Sequence, residues 1–334
     1  MSQKDQTVEC QKQKDIEGVT QIQLEMMKHM GAKIRGQHFK QHGCLSAEFS
    51  VLEDIPDQCK VGIFAKPKTY KCYIRYSNGG QLDDRNPDIH GMAIKLLGVP
   101  GKKVLEGQEG EITHDFILAD NPVFFIRTAS DYVPFIEEFA QGKPPAKFAQ
   151  RRMEAGCPMD LEVLKNFSQQ ILDSPLSSEY WSQVPYSLGK DNRKICRYSA
   201  VPTRANPTQT VSEQDRGENY LREAMKSDLA EGNQDITFDF MVQPNDDSTD
   251  EVINNPTVEW DLPNYKVATI TISPQIFDTD ERDLFGENLS YTPWRVLPEH
   301  RPLGEVNEVR KQVYLASSAL RHRTNGAPSQ EPKL

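Results

Sequence analysis

Apolar residues at Ile16, Val19, Ile22, Met26, Met27 and Met30 recur at the spacing of an amphipathic helix, so residues 14–31 are expected to form one and cover the protein body. The pattern then turns to alternation. AEFSVLED (47–54) and KCYIRYSNGG (71–80) predict strands, the second closing on an Asn-Gly turn. GMAIKLLGVPG (91–101) and HDFILADNPVFFIR (114–127), rich in β-branched and aromatic residues, predict two more. Ser130, a capping residue, precedes DYVPFIEEFAQG, a short helix ending at Gly142. Residues 143–235 mix Pro-containing loops with the helical patterns LEVLKNFSQQIL and NYLREAMKSDLAEG. Strands return at 236–243 and 265–273. EVNEVRKQVYLASSALRHR (305–323) predicts a last helix that follows the turn at Pro302 to Gly304 and becomes basic at its end, as the helix dipole favours. The tail, 324–334, is expected to be disordered.

Strands dominate both ends and helices the middle, with no regular alternation of the two and no internal repeat. A doubly wound parallel sheet is therefore disfavoured, and the expected class is α+β, an antiparallel barrel with appended helices. A chain of 334 residues makes one large domain or two modest ones. Its 26% charged and 37% hydrophobic residues suit a soluble globular protein. No stretch approaches 18 uncharged apolar residues, which excludes a membrane span. The polar N-terminus lacks the apolar core of a secretory signal, so the expected compartment is cytoplasmic. A net charge of −10 and the absence of any long basic run argue against nucleic acid as a partner. Six scattered cysteines without a C-x-x-C pair favour free thiols over zinc or disulfides. Neither a Walker A sequence nor G-x-G-x-x-G is present.

Candidate chemistry begins on the last helix. Arg310 and Tyr314 stand four apart and share a face, and a guanidinium beside a phenol favours the phenolate, more so if a ferric iron is bound to it. Arg310-Lys-Gln-Val-Tyr314 resembles the proximal R-x-x-x-Y of haem catalases. Five further segments match that family in the same order. Arg35-Gly-Gln-His38-Phe-Lys40-Gln-His42-Gly43 is similar to R-x-x-H-A-K-G-x-G, and Arg75-Tyr-Ser77 to R-F-S. Asp88-Ile-His-Gly91-Met-Ala93-Ile-Lys95 resembles R-D-x-R-G-F-A-V-K. The stretch from Asp115 through Asp120, Asn121 and Pro122 to Phe124 and Phe125 resembles W-D-L-V-G-N-N-x-P-V-F-F, and Tyr291-Thr-Pro293 resembles F-x-P.

The resemblance spans about 25–323, between a polar segment with the start of a helix (1–24) and the tail, and implies an eight-stranded catalase-like barrel. It implies haem b, ferric iron protoporphyrin IX, with Tyr314 as the iron ligand. Arg35 and Arg75 then pair with propionates, Arg310 meets the tyrosinate, and Phe124 or Phe125, on opposite faces of one strand, lines the pocket. His38 becomes the base that moves a proton between peroxide oxygens, with Ser77 orienting its imidazole. His42, four residues on, is the rival, because an even spacing along an expected strand puts both imidazoles on one face; Arg35 and Lys40 fall into register with His38.

Two departures modify the expectation. Asp120 stands where the family carries its distal asparagine, and an ionised carboxylate cannot donate to a peroxide. A buried, protonated Asp120 donates or shares proton transfer with His38; a one-residue shift instead puts Asn121 there. Gln37 replaces a small apolar residue before the distal histidine, adding a polar group. The chain is also short for a catalase and looks like the minimal catalase-related haem proteins, such as the coral allene oxide synthase and small bacterial peroxidases. That resemblance implies O–O cleavage in organic hydroperoxides, including those of fatty acids. Alternatives are a small catalase acting on hydrogen peroxide and a haem-binding or degenerate protein without turnover. The expected partner is a small-molecule peroxide, with self-assembly left open. Pro332-Lys333-Leu334 is a weak likeness to a peroxisomal ending.

Overall fold

The computed structural model describes residues 3–191, 193–203 and 212–333, so Leu334 of the terminal tripeptide lies outside the described residues. The helix expected from 14 begins earlier, as α1 (Gln3–His29). Its polar turns carry i,i+4 side-chain pairs, Gln11 with Asp15 and Gln13 with Glu17, both at 2.9 Å. Four strands follow, β1 (Gln41–Val51), β2 (Lys68–Asn78), β3 (His90–Leu97) and β4 (Thr113–Ala119), each antiparallel to the one before. The helices α2 (Ala129–Ala140), α3 (Ala146–Glu154) and α4 (Met159–Phe167) come next. The rest of the chain runs β5 (Tyr180–Trp181), β6 (Tyr186–Ser187), β7 (Ile195–Pro202), α5 (Tyr220–Asp228), β8 (Ile236–Asn245), α6 (Asp250–Ile253), β9 (Tyr265–Ile272), α7 (Asp280–Asn288) and α8 (Glu305–Asn325).

β9 pairs with β1, and β5 joins β4 to β7, so eight antiparallel strands, β1 to β5 and β7 to β9, close into a barrel. Closure gives each of these eight strands a partner on both sides. Inside, the Phe49, Phe116 and Phe240 rings lie 4.8–6.1 Å apart and fill the barrel, which is therefore a core and not a binding chamber. The outward positions of β2 to β4, among them Arg75, Ser77, Gly91, Ala93 and Ile117, face the helices instead. α1 packs on α2 and α8 through Ile16, Val19, Ala129, Ile136 and Val309.

Three expectations are corrected. The strand read over 114–127 ends at Ala119, because the Asn121 side-chain oxygen accepts from the Val123 N–H at 3.1 Å and Pro122 has no N–H for a ladder. Phe124 and Phe125 consequently sit on no strand; their rings lie side by side, 4.9 Å apart. The helix expected at Ser130 is capped two residues earlier, by Thr128, whose hydroxyl accepts from the Asp131 N–H at 3.1 Å.

The third concerns the tail. Glu331 is buried against the barrel, with Lys95 Nζ at 2.5 Å and Arg295 Nη2 at 3.1 Å, and both cations also pair with the buried Asp115. Burial pushes the Glu331 carboxyl up, yet Lys95 and Arg295 outweigh it and hold it below its ordinary 4.5. These pairs thus contribute fully above about pH 4.5 and lose their contribution as pH falls through the depressed folded value. Glu331→Gln is expected to cost about 3 kcal/mol at neutral pH. Urea unfolding followed by circular dichroism checks this; the gap should close towards pH 3, and a gap that does not change with pH contradicts it.

Candidate active site

His38 sits in the turn between α1 and β1 and not on a strand, with φ at +53°, a left-handed conformation that a histidine adopts at a cost of about 1–3 kcal/mol. Its N–H donates to the Gly79 carbonyl at 2.8 Å, which fixes the turn on the barrel. Nδ1 lies 3.2 Å from Ser77 Oγ, and Nε2 has no partner among the described residues. Gly91 makes this placement possible: a Cβ there would come within 2.7 Å of the imidazole. Burial, followed by Arg75, His90 and the Arg35 and Arg310 guanidiniums, lowers His38 to about 3, so the ring is neutral at ordinary pH.

Beneath the outer face of the barrel lie two adjoining cavities, about 130 Å³ and about 490 Å³. Gln23, Gln37, His38, Ile117, Leu118, Val313 and Tyr314 line both. The α8 residues Arg310, Val313, Tyr314, Ser317 and Arg321 recur at three- and four-residue intervals, so one face of the helix forms the opposing wall. Arg310 Nη2 donates to Tyr314 Oη at 3.5 Å, with Nη1 anchored on Asn307 Oδ1 at 3.2 Å. Burial pulls Arg310 down, but the Tyr314 and Tyr186 phenols opposite it hold it above its ordinary value, and it is a cation.

At the edge of the smaller cavity three arginines crowd one carboxylate. Glu287 lies 3.1 Å from Arg35 Nη1 and 3.6 Å from both Arg75 Nη2 and Arg321 Nε, and these last two atoms are buried without a hydrogen bond. Burial and then the charge on Arg35, opposed by Glu287, lower Arg75 to about 9 and Arg321 to about 8. Three guanidiniums on one carboxylate leave an excess of two positive charges in a half-dry place. Such a cluster would suit the two propionates of a haem, and the Tyr314 phenol and the neutral His38 imidazole, which line the same cavities, would suit its iron ligand and a proton acceptor. The residues present fit the group.

Other expected residues are placed elsewhere. His42 is on β1 and fully buried, with Nε2 2.6 Å from Asn78 Oδ1; it lines neither cavity. Asp120 lies off both linings too. Its Oδ1 accepts from the His90 N–H at 2.7 Å and its Oδ2 lies 2.6 Å from His90 Nδ1, so the residue is committed to β3. Asn121 faces its own turn. Phe124 and Phe125 both line the larger cavity, where only one was expected, because no strand alternation separates them.

Gln23, Glu287 and Arg321 were missed. Gln23 was legible as the one polar residue on a buried row with Val19 and Met27, and Arg321 as the position seven beyond Tyr314 on the same helix face. Glu287 has no local signal, since its role arises from α7 packing against α8.

Among solved structures, the chain is similar to a fungal catalase (TM-score 0.67, 16% identity, over 89% of this chain and 62% of that one). It is also similar to catalase A from Saccharomyces cerevisiae (0.68, 16%, 92% and 68%) and to a bacterial catalase (0.63, 17%, 92% and 63%). By sequence, no family model and no curated protein matches it. The chain spans about two thirds of the length of the catalases it matches. No helix among the described residues is long and apolar enough to cross a membrane. Its architecture is that of the catalase barrel with flanking helices.

Proposed function

We propose that the chain is a haem enzyme that cleaves the O–O bond of organic hydroperoxides, with the iron ligated by Tyr314. The observation that carries this reading is the pairing of His38 and Tyr314 across shared cavities flanked by a net-cationic arginine cluster. When bound, haem b supplies the redox-active iron. Arg35, Arg75 and Arg321 hold its propionates, and Arg310 compensates the charge on the Tyr314 oxygen. Ser77 engages Nδ1 of His38 and so leaves Nε2 to take the hydroperoxide proton and return it to the departing oxygen. The larger cavity, walled by Phe124, Phe125, Phe135 and Phe167, accommodates an apolar tail such as that of a fatty-acid hydroperoxide.

The catalase architecture favours a second reading, disproportionation of hydrogen peroxide, whereas the commitment of Asp120 to His90 favours a third, haem binding without turnover. Reconstituted protein separates them. Rapid consumption of a lipid hydroperoxide with little oxygen evolved from hydrogen peroxide is expected; vigorous oxygen evolution supports the second, and a haem spectrum without reactivity the third. Because His38 stays neutral down to about 3, the rate should be level between pH 8 and about pH 4 and fall below it. A fall centred near 6.5 contradicts the assignment of His38.

A further inference from the structure

The cavity lacks the amide that a peroxide would be expected to meet at Asp120, and another residue stands where it can provide one. Resting on the reading just given, we propose that Gln23, on α1, donates the hydrogen bond that holds the peroxide beside His38. Gln23 is 5% exposed, lines both cavities, and its carboxamide has no hydrogen-bond partner among the described residues. The amide opens onto the cavities, so a ligand there that accepts from it gains a hydrogen bond worth about 0.5–1.5 kcal/mol.

The alternative side chains are engaged. Asp120 and Asn121 are committed as described, and the Gln183 amide donates to the Asn121 and Val123 carbonyls at 3.1 and 3.0 Å. Gln37, the other glutamine on the wall common to both cavities, meets the Tyr132 hydroxyl. Of the side-chain amides on that wall, Gln23 alone has no partner among the described residues.

Its placement is built in. Val19 and Met27, one turn to either side, are buried, and α1 is held on α2 and α8, so the side chain has a fixed origin. Gly36, two residues before His38, gives it room, since a Cβ at Gly36 would collide with the Gln23 amide nitrogen. The turn that carries His38 and the helix that carries Gln23 are therefore fitted to one another. α1 serves as part of the site, and the amide function expected near Asp120 is supplied by a helix.

The test uses the full chain loaded with ferric haem and titrated with cyanide, a small ligand whose nitrogen accepts a hydrogen bond. Gln23→Leu and Gln23→Met, the second of matching length in case the first misfolds, should each raise the cyanide dissociation constant about tenfold. The ferric spectrum should not move. Affinity within twofold of the unsubstituted chain in a folded variant overturns the assignment of Gln23 alone, with haem binding and the role of His38 intact. A chain that takes up no haem overturns this assignment and the proposed function together.

Discussion

His38→Ala is expected to slow hydroperoxide cleavage by about 10²–10⁴-fold while leaving haem uptake and the ferric spectrum unchanged. The loss is large because the proton on the hydroperoxide must leave one oxygen and reach the other, and Nε2 of His38 is the one unengaged imidazole nitrogen facing the cavity. The strained turn, the Ser77 contact and the bare Gly91 surface all serve that ring. His42→Ala removes a core imidazole paired with Asn78, and its cost should appear in stability with the rate per haem retained. Single-turnover rates with a lipid hydroperoxide check both; a His42 variant that loses the reaction while the His38 variant keeps it reverses the assignment.

Glu287→Gln should destabilise the haem-free protein by about 3–5 kcal/mol, because it leaves three crowded guanidiniums with no carboxylate between them. Haem loading should narrow this deficit, since two propionates restore the missing negative charge and a ligand that binds only the folded state adds to its stability. Urea unfolding of each protein with and without haem measures the four values. A deficit under about 1 kcal/mol, or one that haem does not change, contradicts the role given to the arginine cluster.

Much of the site was legible because it is carried by short, local spacings. Arg310 and Tyr314 lie on one helix face, and the segment from Arg35 to His38 holds its residues within a single turn. What escaped notice depends on register and packing. Asp120 looked like a distal group until the antiparallel pairing of β3 with β4, Gly91 against Ala119, put it beside His90. Phe124 and Phe125 read as strand residues from their composition, but the Asn121 turn and Pro122 override that propensity. The tail looked polar and free, yet Glu331 answers two cations from β3 and the segment before α8, 236 and 36 residues away in sequence. Arg321 was read as a charge suited to the end of a helix, a reading that is sound electrostatics and still missed its position over the cavity.

The central claim is that a phenolate from α8 grips a ferric haem. It is tested most directly by the visible absorption of the haem-loaded protein beside that of Tyr314→Phe. The account predicts a high-spin ferric tyrosinate spectrum in the unsubstituted chain and its loss in the variant, which retains a folded barrel. Identical spectra in the two proteins would contradict it.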